Sequence, residues 1–116
     1  MEIKELIKQS HENAVQHGFW NEFNSLPTLG DDYLDKHGEK AAQAFISQFL
    51  MLIVSEVAEA QEGLRHNDMN NFKEELADIC IRTFDLAKGL DIDLEYEILK
   101  KMQFNKTRPY KHGKSF

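Results

Sequence analysis

Phe45-Ile46-Ser47-Gln48-Phe49-Leu50-Met51-Leu52-Ile53-Val54-Ser55-Glu56-Val57-Ala58-Glu59 is the stretch on which the fold turns. Its apolar residues, with Ala41 and Ala42 before them and Ala60 after, recur at helical spacing, which predicts one long helix from about Glu39 to about His66. From Phe45 to Val54 that helix is apolar nearly all round, a pattern that calls for burial on more than one side. A chain of 116 residues is one domain with a modest core, so a partner subunit is expected to cover the far side. At about 100° per residue, Glu56 falls on the core-facing stripe between Phe49 and Leu52, with Glu59 at its edge. A buried carboxylate must meet a cation or take up a proton, because burying it unpaired costs several kcal/mol.

Outward from this stretch, the polar run Arg65 to Asn71 makes a turn in which Asp68, Asn70 or Asn71 is suited to cap the next helix. That third helix spans roughly Phe72 to Lys88 and stops at Gly89, with a stripe of Phe72, Leu76, Ile79 and Thr83 bordered by Glu75 and Asp78. Carboxylates three residues apart share a helix face, their Cβ atoms about 5 to 6 Å apart. The short turn makes the two helices antiparallel neighbours, which can bring Glu56, Glu59, Glu75 and Asp78 level. Four converging acids need cations, and all-oxygen donors suit Mg²⁺ or Mn²⁺, whose remaining coordination positions go to water and substrate phosphates. A di-iron bundle is excluded, since it needs Glu-x-x-His on two helices and no Glu here has a His three positions later.

The flanks complete an all-α reading. Ile3, Leu6, Ile7 and Ala14 mark a first helix ended by Gly18. Phe19 to Gly38 reads as a loop, but Trp20, Phe23, Leu26, Leu29, Tyr33 and Leu34 require it to pack or to contact a ligand. A fourth helix starts behind Asp91 or, better, Asp93 as N-cap, shows Leu94, Ile98, Leu99 and Met102, and ends before Pro109. The expected architecture is a single domain, residues 1–116, folded as a compact antiparallel bundle of about four helices and completed by homo-oligomerisation, as a dimer or a dimer of dimers.

Cys80 is the only cysteine, which excludes an internal disulfide and reads as a small buried apolar group. Neither a secretory signal nor an apolar run of membrane length is evident, so a cytoplasmic protein is expected. The formal net charge is -6, yet residues 100 to 116 carry Lys100, Lys101, Lys106, Arg108, Lys111 and Lys114 without a single acid. The body is therefore far more acidic than the whole, which argues against nucleic acid as partner and suits a polyanionic ligand held between metal and basic tail.

At these residues the chain resembles the MazG-like nucleoside triphosphate pyrophosphohydrolases, in particular the small single-domain type similar to dCTP pyrophosphatase. The likeness runs from about His11 to Lys114 and centres on Ser55-Glu56-Val57-Ala58-Glu59 and Glu75-Leu76-Ala77-Asp78, which match a family pattern of Glu-Glu-x-x-Glu followed by Glu-x-x-Asp. The resemblance implies that Glu56, Glu59, Glu75 and Asp78 hold Mg²⁺, with Mn²⁺ an alternative, and that a (deoxy)nucleoside triphosphate is hydrolysed to monophosphate and pyrophosphate. Glu59 is then the favoured general base. His11-Glu12-Asn13-Ala14-Val15-Gln16-His17-Gly18-Phe19-Trp20 and Lys101-Met102-Gln103-Phe104-Asn105-Lys106-Thr107-Arg108 resemble substrate-binding segments, which implies nucleotide contacts for His11, Trp20, Lys101, Asn105 and Arg108. Two positions depart from the pattern: Ser55 replaces an acid, and Arg82 stands where the family has an aromatic. Without the resemblance, Trp20 reads as a core or lid aromatic. The competing class is a non-catalytic, metal- and nucleotide-binding oligomeric module.

Overall fold

The computed structural model describes residues 1–26 and 39–116. Its elements are α1 (Ile3–Gln16), α2 (Asn21–Ser25), α3 (Lys40–Arg65), α4 (Met69–Gly89), α5 (Leu94–Lys106) and a closing 3-10 turn, Tyr110–Gly113. No strand occurs among the described residues, as the periodicity predicts. Pro27, Leu29, Gly30, Tyr33, Leu34 and Gly38, expected in a packed loop, lie outside the described residues.

The framework is the α3–α4 pair, with α1 laid along α4. The pair is antiparallel: Gly63 near the end of α3 adjoins Asn71 and Phe72 at the start of α4, whereas Glu56, two turns earlier, reaches Arg82 far along α4. Asp68 resolves the choice of cap, its side chain accepting from the Asn71 backbone N–H, and Asp93 does the same for Tyr96 at the start of α5.

Three helices end alike. Gly18 (φ 84), Asn67 (φ 56) and Asp91 (φ 55) adopt the left-handed conformation just past α1, α3 and α4. The next N–H in each case returns to a carbonyl in the last turn, Phe19 to Ala14, Asp68 to Gly63 and Ile92 to Ala87. Gly89, expected to stop α4, is instead its last residue. A Cβ there would lie 2.1 Å from the Trp20 ring, so glycine is required by packing and not by backbone conformation.

The core forms around that ring. Trp20, Phe23 and Ala42 are buried, with Ala14, Leu26, Phe45, Ile46, Phe49, Leu86 and Leu90 packed against them. The stretch read as an irregular loop thus contributes a short helix and two core aromatics. Leu76, placed on the inner stripe of α4 by its spacing, is 46% exposed, because Glu75 and Asp85 take the buried positions. Cys80 is exposed, not buried. Leu50, Met51, Val54 and Val57 leave the outer side of α3 uncovered within the single chain. By length and composition alone α3 is apolar enough to cross a membrane, contrary to expectation, although it also packs along α4.

Candidate metal centre and adjoining cleft

Helical spacing puts Glu75, Asp78, Arg82 and Asp85 on one face of α4, at successive steps of three or four residues. The antiparallel register then sets Glu56 of α3 against them. Glu56, Glu75 and Asp78 each bring one oxygen to a common point, all three within 4.8 Å of one another. Glu56 is 7% exposed and Glu75 8%, with Asp78 half-buried.

Glu75 Oε2 is buried and has no hydrogen-bond partner. A carboxylate oxygen accepts only, and neighbouring carboxylates have nothing to donate unless one of them is protonated. Sharing a proton with Glu56 is the main reason the Glu75 carboxyl is pushed up to about 7, with burial and the negative charge of Glu59 adding to it. Glu56 moves the other way, held below the usual carboxylate range chiefly by the hydrogen bond from Arg82, against the opposing effect of burial. Arg82 Nε donates to Glu56 Oε1 at 2.7 Å. Glu59 is exposed at the rim, beside a hollow of about 340 Å³ that it lines together with Glu75 and Asn71.

The donor set suits a hard divalent ion: oxygens only, three carboxylates converging, and one buried oxygen lacking a donor. The same residues open into a cleft of about 280 Å³, lined by Glu56, Asp78, Arg82 and Asp85 and by Asn13 and Phe19 among others. The site therefore joins an acidic floor to a cavity that has one cationic side chain in its wall.

The other expected site residues fall elsewhere. Trp20 is 1% exposed, stacked on Phe49 with ring centroids 4.5 Å apart, met edge-on by Phe23 and His11, and pressed against Gly89. No face of the indole remains for a base, so its placement is that of a core aromatic. Its Nε1–H donates to Asp85 Oδ1 at 2.7 Å. His11 Nδ1 lies 2.9 Å from the same oxygen and, facing a carboxylate, is the nitrogen that carries the proton. His11 is thus tied to the end of the cleft through Asp85 rather than projecting into it.

Lys101, Asn105 and Arg108 are not brought to the acids. Lys101 Nζ lies over the Phe104 ring, Arg108 donates weakly to Asn105 Oδ1 at 3.4 Å, and α5 buries none of its residues. Two participants escaped the sequence-level reading of the site. Asp85 continues the Glu75–Asp78 face by seven residues, a spacing signal that was available, whereas the Arg82–Glu56 pair depends on a register that only the packed helices fix. Comparison of the chain with models of protein families, with curated proteins and with solved structures finds no match.

Proposed function

We propose that this protein is a Mg²⁺-dependent nucleotide pyrophosphohydrolase of the MazG-like kind, converting a (deoxy)nucleoside triphosphate to its monophosphate and pyrophosphate. The observation that carries the proposal is the buried, donor-free Glu75 oxygen among three converging carboxylates beside an open cleft of about 280 Å³. Two of the three acids are buried, and a buried polar atom without a partner calls for an explanation.

In this reading Glu56, Glu75 and Asp78 hold the ion, and Glu59 completes the set from the rim. Bound there, Mg²⁺ supplies charge neutralisation for the phosphates and a more acidic water. Glu59, the most accessible of the four acids, is the general base of this reading and takes a proton from the attacking water. Asp78 and Asp85 line one wall of the cleft, so a polyphosphate can enter only with a cation between it and them. Lys101, Asn105 and Arg108 then meet the phosphates from a second copy of the chain, an arrangement supported by the uncovered apolar side of α3.

The test is a panel of nucleoside triphosphates assayed with and without Mg²⁺, with the products separated. Monophosphate and pyrophosphate in equal amounts are expected, strictly dependent on the metal. Glu59→Gln and Asp78→Asn are each expected to lower turnover at least a hundredfold at unchanged helix content. Nucleotide binding without turnover would instead identify a non-catalytic module.

A further inference from the structure

Arg82 is a cation built into an acidic centre, and its placement is economical. It bonds Glu56 through Nε, its side chain is one-third exposed, and it lines the cleft. Arginine has five N–H donors, and among the described residues only the one on Nε has a hydrogen-bond partner. A divalent ion and a guanidinium cannot both sit on the Glu56 oxygens at full strength, since like charges at contact distance repel. An ion arriving at Glu56, Glu75 and Asp78 therefore competes with Arg82 for the Glu56 carboxylate, and the cleft that Arg82 lines offers its side chain open volume. A planar guanidinium with free donors is the side chain best matched to phosphate oxygens.

We propose that Arg82 serves as the resident counter-ion of the metal centre and becomes the anion-binding group of the adjoining cleft once a divalent ion takes Glu56. Metal and polyphosphate are then coupled through one side chain: the ion frees the arginine, and the anion captures it. Before metal arrives Arg82 shields the acids from one another, which lets them converge in a folded protein. This inference rests on the metal-centre reading above and extends it to a position at which the chain departs from the pattern it resembles.

Binding measurements distinguish the outcomes without reference to turnover. Mn²⁺ uptake, followed by the electron paramagnetic resonance of the free ion, is expected to be at least tenfold tighter in Arg82→Gln than in the unmodified protein, and near the unmodified value in Arg82→Lys. Inorganic tripolyphosphate, titrated with and without saturating Mg²⁺, is expected to gain at least tenfold less from the metal in Arg82→Gln. Should that variant fail to fold, the native protein labelled with ¹⁵N-arginine gives the answer. Its Arg82 Nε–H resonance, assigned by its loss in Arg82→Lys, should move on adding Mg²⁺ and move again on adding tripolyphosphate. Equal or weaker Mn²⁺ uptake by folded Arg82→Gln, or an unmoved resonance under saturating Mg²⁺, would overturn the proposal and leave the metal centre standing. No Mn²⁺ uptake by the unmodified protein would overturn both.

Discussion

Glu75 is where burial, like charge and the absence of a donor meet in one side chain, and its chemistry can be read in stability. In the folded, metal-free chain its carboxyl is raised to about 7 from an ordinary value of 4.5. Between those two pH values the folded state holds a proton that the unfolded chain has released, so stability falls as pH rises and levels off above about 7. Glu56, lowered by Arg82, changes its contribution only at more acidic pH, where stability is lost as pH falls. Urea midpoints from pH 5 to pH 8 are thus expected to decline in the metal-free protein and to decline less in Glu75→Gln; the difference between the profiles isolates this one group from the histidines. Two parallel profiles would remove Glu75 from the shared proton. If Mg²⁺ binds at these acids as proposed, it displaces that proton, and calorimetry in buffers of different ionisation enthalpy should show more proton release at pH 6 than at pH 8.

The end of α4 shows how far the elements were legible in the sequence and where they were not. A glycine at the end of a helical pattern reads as a helix stop, and α4 does finish at Gly89, but the left-handed residue is Asp91. What holds position 89 to glycine is Trp20, sixty-nine positions earlier, whose ring occupies the space of a Cβ. Gly89→Ala is therefore expected to cost about 1 to 3 kcal/mol through overpacking. Asp91→Gly, which relieves a left-handed non-glycine residue, is expected to be neutral or to stabilise by up to ~1 kcal/mol. The pair of urea titrations discriminates the two roles, and the reverse ranking would restore Gly89 as a conformational stop. Helical periodicity exposed α1, α3, α4 and α5 because each is long enough to show it. The five residues of α2 are too few, and contacts such as Trp20 with Gly89 or Arg82 with Glu56 have no local signature at all. The acidic pairs were legible for the opposite reason: their significance lies in spacing along single helices, and only Leu76, turned outward where Glu75 turns in, defeats the simple stripe.

At the scale of the whole molecule, two features of the single chain bear on the proposed association of copies. Leu50, Val54 and Val57 recur at helical spacing on the exposed side of α3, a row that a soluble helix normally covers. Meanwhile α5 buries nothing and holds Lys101, Asn105 and Arg108 away from the acidic cleft. If copies associate across α3, Val54→Glu sets a charge within the apolar contact. Light scattering should then show association weakened by about a hundredfold or more, equivalent to ~3 kcal/mol. An unchanged assembly would place the interface elsewhere. Complementation decides whether association also completes the site. Asp78→Asn and Lys101→Ala, each inactive alone, are expected to recover about a quarter of full activity when unfolded together and refolded as a mixture, because in a symmetric dimer half the molecules are hybrids with one of two composite sites intact. Were Lys101 to serve the acids of its own chain, every site in every hybrid would carry one lesion, and mixing would restore nothing.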